Sequence, residues 1–145
     1  MTLLFVPGTP APQGSKRYLG NGVMIESSKR VKPWRADIRA AALANFTQPY
    51  TGPIRLDLTF VMPRPKSHYG TGRNANTIKP SAPTQHTQKP DLDKLIRAVG
   101  DALTGVAYLD DSQVVGGAHM KRWTYGVGDP AGVRITVAPV EEKAA

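Results

Sequence analysis

The sequence predicts an α+β fold, a small mixed β-sheet packed with two helices and carrying one long basic loop. Three observations lead there. Residues 54–62 alternate apolar and polar side chains with the period of a half-buried strand. Two segments, 33–46 and 92–103, repeat apolar residues at helical spacing. Residues 63–90 lack that periodicity and carry charge of one sign.

Taken in chain order, Leu3 to Val6 reads as a short strand that ends at Pro7 and Gly8. The loop GTPAPQGSKR follows and delivers Lys16 and Arg17 as phosphate contacts. Tyr18-Leu19 and Val23-Met24-Ile25 flank Gly20-Asn21-Gly22, residues suited to a tight hairpin. From Pro33 to Phe46 the chain has good helix formers, with Trp34, Ile38, Ala41, Ala42 and Phe46 on one face and Arg35 and Arg39 on another. Ile54, Leu56, Leu58, Phe60 and Met62 form the buried side of the clearest strand.

Residues 63–90 contain five prolines and two glycines and few large apolar residues, so they predict a long mobile loop that orders on a nucleic acid. In the next helix Leu92, Leu95, Ile96, Val99 and Leu103 face inward, while Asp93, Lys94, Arg97 and Asp101 face outward. One strand through 113–123 and a last one holding Val133, Ile135 and Val137 complete a single domain over 1–145.

Charge divides the chain. Residues 1–90 carry 13 basic and 3 acidic side chains, whereas residues 91–145 carry 6 and 8. A cationic body with an anionic focus suits a polyanionic partner and a metal ion held at the acidic point. With no cysteine there is no disulfide, thiolate zinc site or thiol nucleophile, so any metal is held by oxygen or imidazole. The N-terminal apolar run is too short for a secretory segment or a membrane span, and the chain reads as soluble and cytoplasmic.

The acidic focus is PDLDKLIRAVGDALTGVAYLDDSQVV. Asp91 stands where a helix N-cap belongs, and Asp93 lies in the first turn, where the helix dipole favours negative charge. Asp110-Asp111 has an equally plain reading as turn chemistry. The alternative reading brings the chain back after Gly105 so that Asp111 approaches Asp91 and Asp93, a set of hard oxygen ligands suited to Mg²⁺ or Mn²⁺. Asp101 stands two turns beyond Asp93, about 12 Å along the axis, outside such a shell. His68, His86 and His119 have no spacing that signals zinc or a triad, and read as surface or packing residues.

This segment resembles the central motif of the RusA-type Holliday junction resolvases, small endodeoxyribonucleases often carried by phages and prophages. The early VPGTPAPQGSKR resembles that family's N-terminal Gly-Pro-basic loop. The resemblance implies a RusA-like resolvase fold and a homodimer that binds four-way DNA junctions and, with Mg²⁺ or Mn²⁺, makes paired symmetrical nicks. It assigns Asp91, Asp93 and Asp111 as catalytic metal ligands, with Asp110, the acidic neighbour of Asp111, as a further metal ligand. Two positions depart from the family's pattern: Lys94 stands where Asn is common, and Arg97 where a functional Lys is common. Arg97 suits charge stabilisation on the scissile phosphate better than proton abstraction, since guanidinium does not readily lose a proton.

On this reading Lys16, Arg17, Lys29, Arg30, Lys32, Arg64, Lys66, Arg73, Lys79, Lys89 and Lys94 grip backbone phosphates, with Lys121 and Arg122 as weaker candidates. Metal-bound water is the simplest nucleophile. Three alternatives stay open: a DNA-binding module without catalysis, a metal-dependent nuclease acting on other structures, and a basic structural protein of a phage particle.

Overall fold

The computed structural model describes residues 1–14, 16–20, 23–26 and 29–142, without the side chains of 16–19 and 23–26. Its main sheet has five strands: β1 (Thr2–Pro7), β4 (Ile54–Met62), β5 (Val114–Gly116), β6 (His119–Trp123) and β7 (Gly132–Pro139). The hairpin strands β2 (Lys16–Gly20) and β3 (Val23–Glu26) form a separate antiparallel pair. The predicted tip at Asn21 and Gly22 lies outside the described residues.

Strand β7 lies between β1 and β4 and is antiparallel to both. On the other side of β4, β5 and β6 pair with it in parallel, so the sheet is mixed as expected. Alternation decides which side is buried. Leu4 and Val6, then Val133, Ile135 and Val137, then Ile54, Leu56, Leu58, Phe60 and Met62 point into one core. Helices α1 (Val31–Asn45) and α2 (Leu92–Leu103) join that core. α1 contributes Val31, Trp34, Ile38 and Ala42, and α2 contributes Leu95, Ala98, Val99, Ala102 and Leu103. Both predicted helical faces are therefore the buried ones. No helix among the described residues is long and apolar enough to cross a membrane.

The expected single strand over 113–123 is instead two. The break falls at Gly117 and Ala118 for a steric reason. Gly117 has φ +147°, and a Cβ there would stand 1.7 Å from the Leu56 carbonyl oxygen. Asp57 fills the gap, its Oδ1 accepting the Ala118 N–H at 2.8 Å. That hydrogen bond, helped by Arg55, holds the Asp57 carboxyl below its usual range against the opposing effect of burial.

Residues 63–90 need a correction too. They form two 3₁₀ turns, Lys66–His68 and Gly72–Asn74, and dock on the end of β6. Trp123 is the anchor: it is buried, His86 and His68 pack on its ring at 4.4 and 4.8 Å, and its Nε1 donates to Gln85 O. Lys121 Nζ of β6 donates to Gln88 O and Pro90 O, which ties the segment's end, just before α2, to β6. His68 and His86 are packing residues, as the sequence indicated. Burial lowers the pKa of both, because an uncharged ring suits a desolvated stack.

Candidate active site

The outward face of α2 is built by its own periodicity. Asp93, Arg97 and Asp101 are exposed there, spaced four residues apart, while the opposite side is buried. Asp91 is the helix N-cap by backbone position, yet its side chain makes no capping hydrogen bond. Its Oδ2 stands 3.8 Å from Lys94 Nζ, an exposed pair of small energetic consequence. Among the described residues neither Asp93 nor Arg97 joins an ion pair.

The N-terminal loop closes over this face. Gln13 N donates to Lys94 O at 3.0 Å, and the Gln13 side chain joins Arg35 of α1 to Asp101 of α2. Gly14 is favoured by its φ of +95°, and it stands close to Arg97, whose Nη1 would lie 2.6 Å from a Cβ there. Arg39 follows Arg35 by one turn and donates from Nη1 to Thr104 O at 3.2 Å. Two arginines of α1 thus stand beside the C-terminal half of the acidic helix. Their four-residue spacing was visible in the sequence, but nothing there told that this face of α1 meets α2.

Asp111 does return to α2, at its far end. Its Oδ1 accepts from Thr104 Oγ1 at 3.0 Å and lies 3.4 Å from Tyr108 Oη. A Cβ on Gly100 would touch the same oxygen at 3.6 Å. Gly100 is seven residues past Asp93, about 10 Å along the helix. The expected approach of Asp111 to Asp91 and Asp93 is therefore not made, and among the described residues no three acidic or histidine side chains gather as a metal-holding group.

Asp110 has a separate task. It caps the 3₁₀ turn Asp111–Gln113, its Oδ1 accepting the Ser112 N–H at 2.8 Å while Gln113 Oε1 accepts the N–H of Asp110. The Ser112 bond holds the Asp110 carboxyl below its usual range. Gln113 Nε2 in turn donates to Tyr50 O and Gly52 O, which fixes the turn to the segment before β4.

Of the basic residues expected to meet phosphate, Lys29, Arg30 and Lys32 are exposed at the start of α1. Lys66, Arg73, Lys79 and Lys89 are exposed on the docked 63–90 segment, and Lys94 is half-buried on α2. Lys16 and Arg17 lie on β2, and their side chains fall outside the described residues. Arg64 is spent on the protein, donating to Thr124 O at 2.7 Å and Pro83 O at 2.8 Å and facing His68. Lys121 is tied to loop carbonyls, and Arg122 is buried against Asp129.

The donor chemistry suits a hard divalent cation. Mg²⁺ takes one or two carboxylates at about 2 Å and completes its shell with water and substrate phosphate, so one ion suits neighbouring carboxylates and does not span two that stand about 10 Å apart along the helix.

Residues 7–138 match the family model described as Endodeoxyribonuclease RusA. The chain is also 31% identical over 113 residues to the uncharacterized protein YqaN of Bacillus subtilis (strain 168), covering 76% of this chain and 79% of that protein. The long match includes the N-terminal loop, both helices and the Asp110-Asp111 turn, and the chain belongs to the RusA endodeoxyribonuclease family.

Proposed function

We propose that this protein is a Mg²⁺-dependent, structure-specific endodeoxyribonuclease that resolves four-way DNA junctions by paired, symmetrical phosphodiester hydrolysis. It acts as a homodimer in the cytoplasm of a bacterial or phage-infected cell. The observation that carries this reading is the exposed acidic face of α2, with Asp93 unneutralised, Asp111 fixed beside the same helix and α1 arginines alongside. Family membership supplies the reaction class.

Asp91 and Asp93 at the helix start, and Asp111 once drawn closer to them than it stands in this structure, are the residues that would hold Mg²⁺, or Mn²⁺ in its place. Such an ion, when bound, supplies a water of lowered pKa and charge neutralisation at the phosphate. Arg97, whose guanidinium passes close to Gly14, stabilises charge on the same phosphate. Arg35 and Arg39 tie the N-terminal loop and α1 to α2, and Lys29, Arg30, Lys32 and the exposed cations of the 63–90 segment grip the DNA backbone. Symmetrical nicking needs two active sites, and this chain offers one acidic face, so a two-fold dimer follows from the reaction.

The test is cleavage of a mobile four-way junction beside duplex and flap substrates, with and without Mg²⁺. Paired nicks in the junction alone support the reading. Equal cutting of all three keeps a nuclease and removes the junction preference, and tight binding without cleavage in Mg²⁺ or Mn²⁺ overturns catalysis.

The grip is testable separately. Arg30→Ala and Lys32→Ala are each expected to weaken junction binding and to lower the slope of log affinity against log salt by about 0.9, the value for one lost phosphate contact. An unchanged slope in both variants removes the start of α1 from the DNA surface.

A further inference from the structure

We propose that Gln13 is a positioning residue that latches the N-terminal loop to both helices, so that the cations following it and the acidic face of α2 meet the same stretch of DNA. The inference rests on reading that face as the active site.

Three observations carry it. First, Gln13 bonds to two helices at once. Its N–H donates to Lys94 O of α2 at 3.0 Å, its Oε1 accepts from Arg35 Nη1 of α1, and its Nε2 donates to Asp101 Oδ2 of α2. Lys94 and Asp101 are seven residues apart, about 10 Å along the helix, so main chain and side chain together fix the loop along α2 as well as against it. Second, the place between a guanidinium and a carboxylate calls for a side chain that accepts at one end and donates at the other, as an amide does. Glutamate there would keep the bond from Arg35 and set two carboxylates against each other. Both side-chain bonds have a charged partner, which makes them the stronger kind.

Third, the latch lies between the buried part of the loop and its cations. Pro10 and Ala11, just before it, are buried, and Ala11 belongs to the core. Strand β2 begins three residues after it with Lys16 and Arg17, a span of about 11 Å at most. Gly14, the next residue, stands close to Arg97, which lies between Lys94 and Asp101 on α2. The start of β2 is thus set relative to Arg97 and, one turn back, Asp93. A held loop spares DNA binding the cost of ordering it and sets the bound backbone at a fixed offset from the carboxylates.

The experiment compares Gln13→Glu and Gln13→Met, each with and without Asp101→Asn, by kcat for Mg²⁺-dependent cleavage of a mobile junction and by metal-free junction affinity. Both single variants are expected to lower kcat about 10-fold or more, since a misplacement of about 1 Å costs up to about 100-fold. Asp101→Asn puts a donor where the carboxylate stood, so it should return Gln13→Glu towards wild type and leave Gln13→Met impaired. A general loss of packing would not be reversed by so selective an exchange. Arg17→Ala should weaken metal-free binding in wild type and add little in either Gln13 variant, because an unlatched loop no longer presents that cation. Unchanged kcat in a folded Gln13→Glu protein, failure of Asp101→Asn to restore it, or fully additive losses with Arg17→Ala overturns the latch. If Gln13→Glu does not fold, Gln13→Met with Arg17→Ala decides. Failure of the underlying reading has a different result: Asp93→Asn then cleaves as fast as wild type, while the binding losses of Gln13 and Arg17 variants still depend on each other.

Discussion

Asp93→Asn and Asp111→Asn are each expected to lower metal-dependent junction cleavage by more than about 100-fold, beyond the loss that removal of an outer partner causes. Binding to uncleaved junction should persist, because the substitution leaves the phosphate-gripping cations in place. Asn keeps the shape and one oxygen of the side chain, so what is removed is the charge that a hard cation needs. Chelation of divalent cations should reproduce the loss in wild type.

Asp110→Asn is the informative control. Asn caps as well as Asp, so the turn around Asp111 survives, and activity should fall far less than in the other two variants. Cleavage rates at saturating Mg²⁺ and junction affinities, measured for all three proteins, decide the matter. Full activity in Asp93→Asn would return that residue to the plain task of a charge in the first turn of a helix, and an inactive Asp110→Asn would make Asp110 a ligand.

The way these residues were and were not visible beforehand has a physical basis. Periodicity states which side of an element is buried. Hence β4, α2 and α1 could be read with their inward residues correctly assigned, down to Ile54, Leu95 and Trp34. It does not state which neighbour a polar side meets. Arg35 and Arg39 shared a visible face, yet their closeness to Asp101 and Thr104 depends on α1 lying against α2 and on Gln13 bridging them. The same limit applies to Asp111. The segment Gly105 to Leu109 allowed a return to the helix, but spacing alone showed neither the return nor its height, because the turn tied to Tyr50 and Gly52 sets that height.

Composition misled where a few aromatic rings outweighed many polar residues. Residues 63–90 have the content of a disordered segment, and their own apolar residues would not order them. Order comes from elsewhere in the chain, since Trp123 offers a surface on which His68 and His86 stack and to which Gln85 accepts a hydrogen bond. The cations of that segment are consequently presented on a folded support, and DNA binding would not bear the full entropy of ordering it.

Asp129→Asn is expected to destabilise the protein by about 3 kcal/mol at neutral pH, the lower end for breaking a buried ion pair. Arg122 and Asp129 have side chains only 8% and 15% exposed and meet at 2.7 Å. Asp129 also accepts the N–H of Tyr125, whose ring lies 3.8 Å from the Arg122 guanidinium, so one carboxylate closes the turn between β6 and β7. Without its charge, Arg122 is left buried and uncompensated. For a chain of this size the loss corresponds to a fall in Tm of about 6–12 °C.

The sign of the pH dependence follows from the direction of the shift. The Arg122 hydrogen bond holds the Asp129 carboxyl below its usual range, burial opposes it and the Tyr125 N–H reinforces it. A carboxylate depressed in the folded state contributes stability that is fully present above the unfolded pKa, near 3.9, and is lost as pH falls through the folded value. Urea unfolding should therefore show a constant gap between wild type and Asp129→Asn from about pH 5 to 8 that narrows progressively below about pH 4. Adding Arg122→Met to Asp129→Asn should recover part of the loss, because the double variant buries no unpaired charge. If the single variant matches wild type at pH 7, the pair is not a source of stability, and if the gap persists undiminished in acid, the loss comes from the side chain's hydrogen bonds rather than its charge.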